Sequence, residues 1–304
     1  MISGPFFLRD IPARAPSRVN VTAPGLQPIE MPHTTPFSAI VAGRARSGST
    51  VSFDIADDWQ QGRTAYGGVV SAVAAQAMRD VAGTDWPAGV GLRALQCSFV
   101  AMVEPGRVQV DVEVLRQGRN VCQVMARVSE GGRLGSVLMG VYCAERPSML
   151  APRRLQRPPA PLEAQALPAV PYLPGRMPPF LQHLEMRYAE GAAPFSRTPG
   201  QRSVIHLRLR DADADAIVPE VLTVLLADAP ATPVSAELTR PVPFSSVTWA
   251  LELRPLAAGH GAGWWRVDSE SVLVEGGYVN HAARLWAPPG DLAATGTQLV
   301  TVFG

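Results

Sequence analysis

Between Thr64 and Val81 the chain carries one unbroken helical run. The Gly67–Gly68 pair opens it, and about a dozen residues without Gly or Pro follow, rich in Ala and Val, with Gln76 and Arg79 as the long polar side chains. A helix apolar on most of its sides must be covered on most of its sides, so this run predicts a buried central helix with a sheet wrapped round it. Gly83 to Pro87 stops it. Beyond that point the hydrophobic period changes to two. Leu92–Val103, Arg107–Arg116, Val121–Val128 and Leu134–Tyr142 read as strands, with Val108, Val110, Val112 and Val114 on one face of the second. Glu104-Pro105-Gly106, Gln117-Gly118-Arg119-Asn120 and Glu130-Gly131-Gly132-Arg133 supply the turns between them. Upstream, Phe37–Ile55 reads as short β-like runs, and Asp57-Asp58-Trp59 through Arg63 as a polar loop into the helix. One long helix followed by an antiparallel meander is an α+β layer.

The pattern breaks between Arg146 and Pro179, where ten prolines exclude a long helix or a central strand. This segment reads as a linker laid along the surface. After it the first plan returns in weaker form. Phe180–Tyr188 and Ser203–Leu209 read as strands, Asp211–Asp215 as an acidic loop, and Pro219–Ala227 as a shorter helix with Pro in its first turn. Ser246–Arg254, Gly263–Val274, Tyr278–Trp286 and Gln298–Phe303 read as the remaining strands. Glu275-Gly276-Gly277-Tyr278 echoes Glu130-Gly131-Gly132-Arg133 at a spacing of 145 residues, which suggests a duplicated domain rather than a short-period solenoid. The expected division is a tail (1–30), an N-terminal domain (31–146), a Pro-rich linker (147–179) and a C-terminal domain (180–304).

Composition narrows the function classes. Hydrophobic residues make up 47% of 304 and charged residues 17%, so the chain is globular with a large core rather than disordered. A net charge of +1 gives no electrostatic argument for nucleic acid or an anionic membrane surface. Cys97, Cys122 and Cys143 lie in predicted strands without metal or disulfide spacing and read as small core residues. His33, His183, His206, His260 and His281 form no spaced cluster, so no metal is expected. No run suggests a signal peptide or a membrane-spanning helix, and a cytoplasmic location is the expectation.

The order of motifs across the two halves resembles the acyl-CoA thioesterase II family. In the first half Tyr66-Gly67-Gly68 opens the helix, Leu115-Arg116-Gln117-Gly118-Arg119 lies at a strand turn, and Val137–Tyr142 closes the unit. In the second half Asp228 ends Leu225-Leu226-Ala227-Asp228, and Gln298 stands in Thr297-Gln298-Leu299-Val300. The likeness covers about residues 35–303. It implies a double hotdog fold: two antiparallel sheets, each wrapped around a central helix, forming a pseudo-dimer. It also implies an acyl-CoA substrate, no cofactor, and assembly into dimers or larger homo-oligomers.

The resemblance further implies site roles. Asp228 would orient and deprotonate a water, while Gln298 and a Ser or Thr at the start of the next strand hold it in line. Counting back from Trp249 puts that third position on Pro243 or Phe244, neither of which can serve. Ser246 is the preferred replacement and Ser245 the second. Alternation places Ser246 with Thr248 on one face and Ser245 on the other. The oxyanion would face free N–H groups at the Gly68 end of the first helix, where a side chain would crowd the thioester. Tyr66, Gly67 and Gly68 are therefore candidate substrate contacts, and Arg116 and Arg119 candidate ligands for coenzyme A phosphates. Taken singly, Asp228 before Ala229-Pro230 is an ordinary helix-end residue, the glycines serve helix–sheet packing equally well, and arginines at a turn are commonly solvated. Two other readings stand beside the thioesterase. A hotdog hydratase needs a His paired with a carboxylate, and none lies near Asp228 in the sequence. A non-catalytic acyl-CoA or acyl-carrier binding protein would fit the missing Ser/Thr.

Overall fold

A computed structural model describes residues 34–84, 86 and 89–303. The expected tail (1–30) lies outside the described residues, as does Pro87 at the helix stop. The first half runs α1 (Phe37–Ala42), β1 (Ala45–Ser47), β2 (Thr50–Ile55), the small pair β3 (Gln60–Gln61) and β4 (Thr64–Ala65), and α2 (Gly67–Ala82). It continues as β5 (Gly91–Phe99), β6 (Gly106–Gln117), β7 (Val121–Glu130) and β8 (Arg133–Cys143). The second half runs β9 (Leu184–Glu190), β10 (Arg202–Leu209), α3 (Pro219–Ala227), β11 (Phe244–Leu253), β12 (Trp265–Glu275), β13 (Tyr278–Ala287) and β14 (Asp291–Val302).

The strands form one antiparallel sheet of twelve, in the order β1-β2-β6-β7-β8-β5-β11-β14-β13-β12-β10-β9. The two expected sheets thus join edge to edge. β5 and β11 pair directly, with Ser98 opposite Thr248 and Ala94 opposite Glu252, so the halves share a continuous ladder. Read outward from that seam, both halves place their strands in the same order. This duplication is not the one the Gly-Gly turns suggested. Glu130–Arg133 joins β7 to β8, whereas Glu275–Tyr278 joins β12 to β13, whose counterpart is the β6–β7 turn at Gln117–Asn120. Two Gly-Gly turns look alike because a tight hairpin needs positive φ, and Gly131, Gly132, Gly276 and Gly277 all adopt it.

α2 is buried along almost its whole length, as its Ala/Val composition requires, and lies against β2, β6, β7 and β8. Val108, Val110 and Val112 are buried on the inner face of β6, whereas Val114 is exposed where a bulge flares the strand. α2 and α3 pack side by side and antiparallel. At one end Tyr66 Oη donates to the Leu225 carbonyl at 2.7 Å, and at the other Arg79 pairs with Glu220 in the first turn of α3. Among the described residues no helix is long and apolar enough to cross a membrane.

Several local expectations change. Phe37–Ala42 is helical rather than β, because Phe37 and Ile40, three apart, bury one side of a single turn and a half. Asp57–Trp59 is a 3-10 turn that buries Trp59, and Pro179–His183 is another that precedes β9. The last strand begins at Asp291, well before Gln298. The Pro-rich segment lies against the outer edge of the sheet, with the Val170 N–H donating to the Met186 carbonyl of β9 at 2.9 Å. Arg187 of that strand reaches the Ala164 and Leu167 carbonyls at 2.9 and 2.8 Å. The segment thereby shields an edge strand that would otherwise offer unpaired backbone groups.

Candidate active site

α3 ends at Ala227, and Asp228 caps it with φ −91° and ψ −4° before Pro230 prevents continuation. A carboxylate at a helix C-terminus opposes that helix's dipole. The antiparallel packing turns this to advantage, because the same carboxylate meets the N-terminal end of α2, whose first N–H groups have no acceptor within the helix. The Gly68 N–H lies on the Asp228 side and favours the charged form of its carboxyl. Gly67 makes the approach possible, since a Cβ there would lie 2.8 Å from Asp228 Oδ2 and 3.4 Å from the Phe99 ring. The reason for Gly68 is different from the one expected: a Cβ at Gly68 would lie 2.3 Å from the Tyr66 ring. The second glycine accommodates Tyr66, and the first accommodates the carboxylate.

Gln298 on β14 connects the rest of the site. Its Nε2 donates to Asp228 Oδ1 at 3.0 Å and to Ser246 Oγ at 2.8 Å, using both amide protons. Ser246 reaches this position through a bulge. The β11–β14 register shifts between Ser246 and Thr248, so Ser246 faces Val300 while Trp249 faces Gln298. Val247 is the extra residue. It turns Ser246 to the inner face with Trp249 and Leu251 and leaves Ser245 and Thr248 exposed. Simple alternation, which grouped Ser246 with Thr248, is corrected by this insertion. Ser245 is not at the site; its carbonyl accepts from Thr301 Oγ1 at 3.0 Å on the exposed side. A serine hydroxyl, that of Ser246, therefore stands beside Gln298 and Asp228.

Asp228 keeps a partial opening to solvent, while its carboxyl sits among protein atoms. Burial pushes its pKa up to about 7, and the Gln298 amide and the Gly68 N–H pull it back only in part. Cys97, opposite Trp249 across the seam, has its thiol pushed up to about 12 by burial and stays protonated.

The other sequence candidates fall elsewhere. Tyr66 is 1% exposed, stacks on Phe180 at 4.1 Å and commits its hydroxyl to Leu225, so it is a strut between the helices rather than a substrate contact. Arg116 and Arg119 are exposed at the β6–β7 hairpin, beside the Gly91 end of β5, whereas the Asp228 site adjoins Phe99 at the other end. The structure does not bring them to Asp228. Next to Gln298 it places His281, which the sequence alone does not link to the site. On β13 His281 stands directly opposite Gln298, on the same inner face. Burial holds its pKa down at about 4. The signal lay in the register of the last hairpin, which needed β14 traced back to Asp291.

Comparisons agree with this architecture. The model of the acyl-CoA thioesterase N-terminal domain matches residues 55–144, and that of the acyl-CoA thioesterase C-terminal domain matches 155–302. No curated protein is a significant match to the chain. A hotdog-fold protein of unknown function from Alicyclobacillus acidocaldarius superposes with a TM-score of 0.72 at 20% identity, covering 90% of this chain and 99% of that one. The TesB protein of Mycobacterium avium subspecies paratuberculosis gives 0.70 at 15% identity, with 88% and 98% covered. The acyl-CoA thioesterase II TesB2 of Mycobacterium marinum gives 0.64 at 15%, with 86% and 96% covered. At these identities the structures speak for the hotdog fold. The two domain models, together spanning most of the sequence in the order of its two halves, establish that the chain belongs to the acyl-CoA thioesterase family.

Proposed function

We propose that the chain hydrolyses acyl-CoA thioesters to a free carboxylic acid and coenzyme A, with Asp228 as general base. The observation that carries this reading is the bridging amide of Gln298, which holds Asp228 and Ser246 in one hydrogen-bonded row at the N-terminal end of α2. A water bound in that row gives its proton to Asp228, and its oxygen attacks the thioester carbonyl carbon. The tetrahedral oxyanion turns toward the N–H groups at Gly67 and Gly68, where the helix dipole favours negative charge. Collapse breaks the C–S bond, and the departing thiolate takes the proton from Asp228.

A carboxyl with a pKa near 7 suits this task, because a base titrating near the working pH combines a useful ionised fraction with proton affinity. When the substrate oxygen takes the Gly68 N–H, Asp228 loses a donor that stabilised its charge, and its basicity rises. The test is thiol release from a series of acyl-CoA thioesters by the wild type and Asp228→Asn. Release that collapses in the variant while acyl-CoA still binds supports the reading. Binding without release from any thioester would leave a binding protein instead.

A further inference from the structure

A hollow at the Gly91 end of β5 takes no part in the chemistry described above. It has a volume of about 380 Å³ and lies where the β6–β7 turn, the last residue of β8 and the first residues of the proline-rich segment meet. It opens on the outer face of the sheet. Val121 and Cys143, which line it, face each other across β7 and β8, and their neighbours Cys122 and Tyr142 are the pair buried on the inner side. Phe99, beside the Asp228 site, is eight residues further along β5, or roughly 27 Å at about 3.4 Å per residue. Distance and the intervening sheet therefore separate this hollow from a thioester held at Asp228.

The side chains that line it are those of an anion site. Arg93, Asn120 and Arg146 reach it from three separate segments. Arg93 does so through a bulge: Leu92 faces Tyr142 and Ala94 faces Val141, so Arg93 is an extra residue in β5 with no counterpart on β8. Such an insertion turns a side chain out of the regular alternation. Arg146 forms no ion pair among the described residues, and neither does Arg119, next to Asn120 in the turn. The acid at the hollow is Glu145, whose Oε1 lies 3.9 Å from Arg93 Nη2 and whose side chain is 90% exposed. A pair so open to solvent contributes little, and two arginines against one solvated carboxylate leave the hollow positive.

The guanidinium fork matches phosphate oxygens, and the Asn120 amide adds neutral donors. Volume decides what else must be present. One water occupies about 30 Å³ in the liquid, so the hollow far exceeds what a bare phosphate ion fills and falls within the range of small-molecule sites. Val121 and Ala144 supply an apolar wall for the remainder. We infer that Arg93, Asn120 and Arg146 form a binding site for an organic phosphate, with the guanidinium groups on the phosphoryl oxygens and the carbon skeleton against Val121 and Ala144. The inference stands apart from the thioesterase reading, because the hollow shares no residue with the row of Asp228, Gln298 and Ser246.

The test is calorimetric titration of the full chain with ribose 5-phosphate, ADP and inorganic phosphate. At least one organic phosphate should bind about tenfold or more tightly than inorganic phosphate. Its affinity should fall at least about tenfold in Arg93→Met and in Arg146→Met, the loss expected for one charge-assisted contact, and stay unchanged in Arg240→Met, an exposed arginine of the second half. Binding of both organic ligands identifies a sugar phosphate as the recognised part, and binding of ADP alone identifies a nucleotide. If Arg93→Met fails to fold, Arg146→Met decides, since that side chain is exposed and unpaired among the described residues. Inorganic phosphate binding as tightly as the better organic ligand overturns the inference. So does the absence of binding by either organic ligand, or binding that Arg146→Met leaves unchanged.

Discussion

The antiparallel pair of α2 and α3 has two ends, and the duplication makes them counterparts. At one end the first turn of α2 has no acidic residue and two glycines, and the carboxylate facing it comes from the other helix as Asp228. At the other end the first turn of α3 carries its own acid, Glu220, and the facing residue is Arg79, whose Nη1 donates to Glu220. Gln76 stands as far from the start of α2 as Asp228 does from the start of α3, and its amide is spent on Asp80 at 2.9 Å. One junction is neutralised by an ion pair. The other keeps an ionisable group poorly compensated, and strain of this sort persists where it serves chemistry. Having two equivalent junctions lets a fold stabilise itself at one and leave the other free for the proposed hydrolysis.

Exchanging the acid gives the largest expected effect. Asp228→Asn should lower kcat about 10³-fold, within the range a general base contributes, whereas Gln76→Ala should stay within about threefold of wild type in the same thiol-release assay. The same variant should be the more stable protein at high pH. The folded-state pKa of Asp228, about 7, lies above the value of about 3.9 for an unfolded Asp, so the native state holds its proton longer. Wild-type stability therefore falls as pH rises from about 4 to 7, and Asn escapes that loss. Thermal unfolding should show Asp228→Asn ahead of wild type at pH 8, by up to roughly 4 kcal/mol, and level with it near pH 4.

Next comes the glycine. Gly67→Ala puts a methyl 2.8 Å from Asp228 Oδ2 and should cost about 10²-fold in kcat through displacement of the carboxylate. Ser246→Ala should reduce kcat about tenfold while Ser245→Ala leaves it unchanged, and equal effects would refute the bulge assignment. In a pH series, kcat/KM should climb about tenfold per unit below the Asp228 pKa and level off above it. A flat profile between pH 5 and 8 would exclude Asp228 as the base. At the stabilised junction the expected effect is on stability rather than activity. Arg79→Met should lower stability by roughly 1–3 kcal/mol, because it strands Glu220 beside buried Tyr142, yet alter turnover less than about twofold.

The two ends also differed in how far the sequence revealed them. Asp228, Gln298 and the Gly67–Gly68 pair could be read because motif order carries over from one chain to another, and helix and strand periods placed them on elements. What stayed hidden depended on register. Ser246 was chosen over Ser245 by alternation, and the face it occupies follows from one inserted residue, Val247, that alternation does not register. His281 became a neighbour of Gln298 only through the pairing of β13 with β14. The Gly-Gly turns misled because they report backbone geometry, which recurs in any tight hairpin, and not descent. Which strands join the two halves was hidden as well, since the β5–β11 seam joins residues about 150 apart with no local signal.

That seam bears on how the molecule is made. As the chain is synthesised, every residue through β8 is present before β11 exists, and until then β5 is an edge with open N–H and C=O groups along its outer side. The first half must wait in that state while the proline-rich segment and α3 are added, exposed to pairing with any other unfinished chain. Closure of the seam and delivery of Asp228 to α2 come from the same late-arriving stretch of sequence. The nascent protein acquires the carboxylate proposed as its base only when it also loses the open edge of β5.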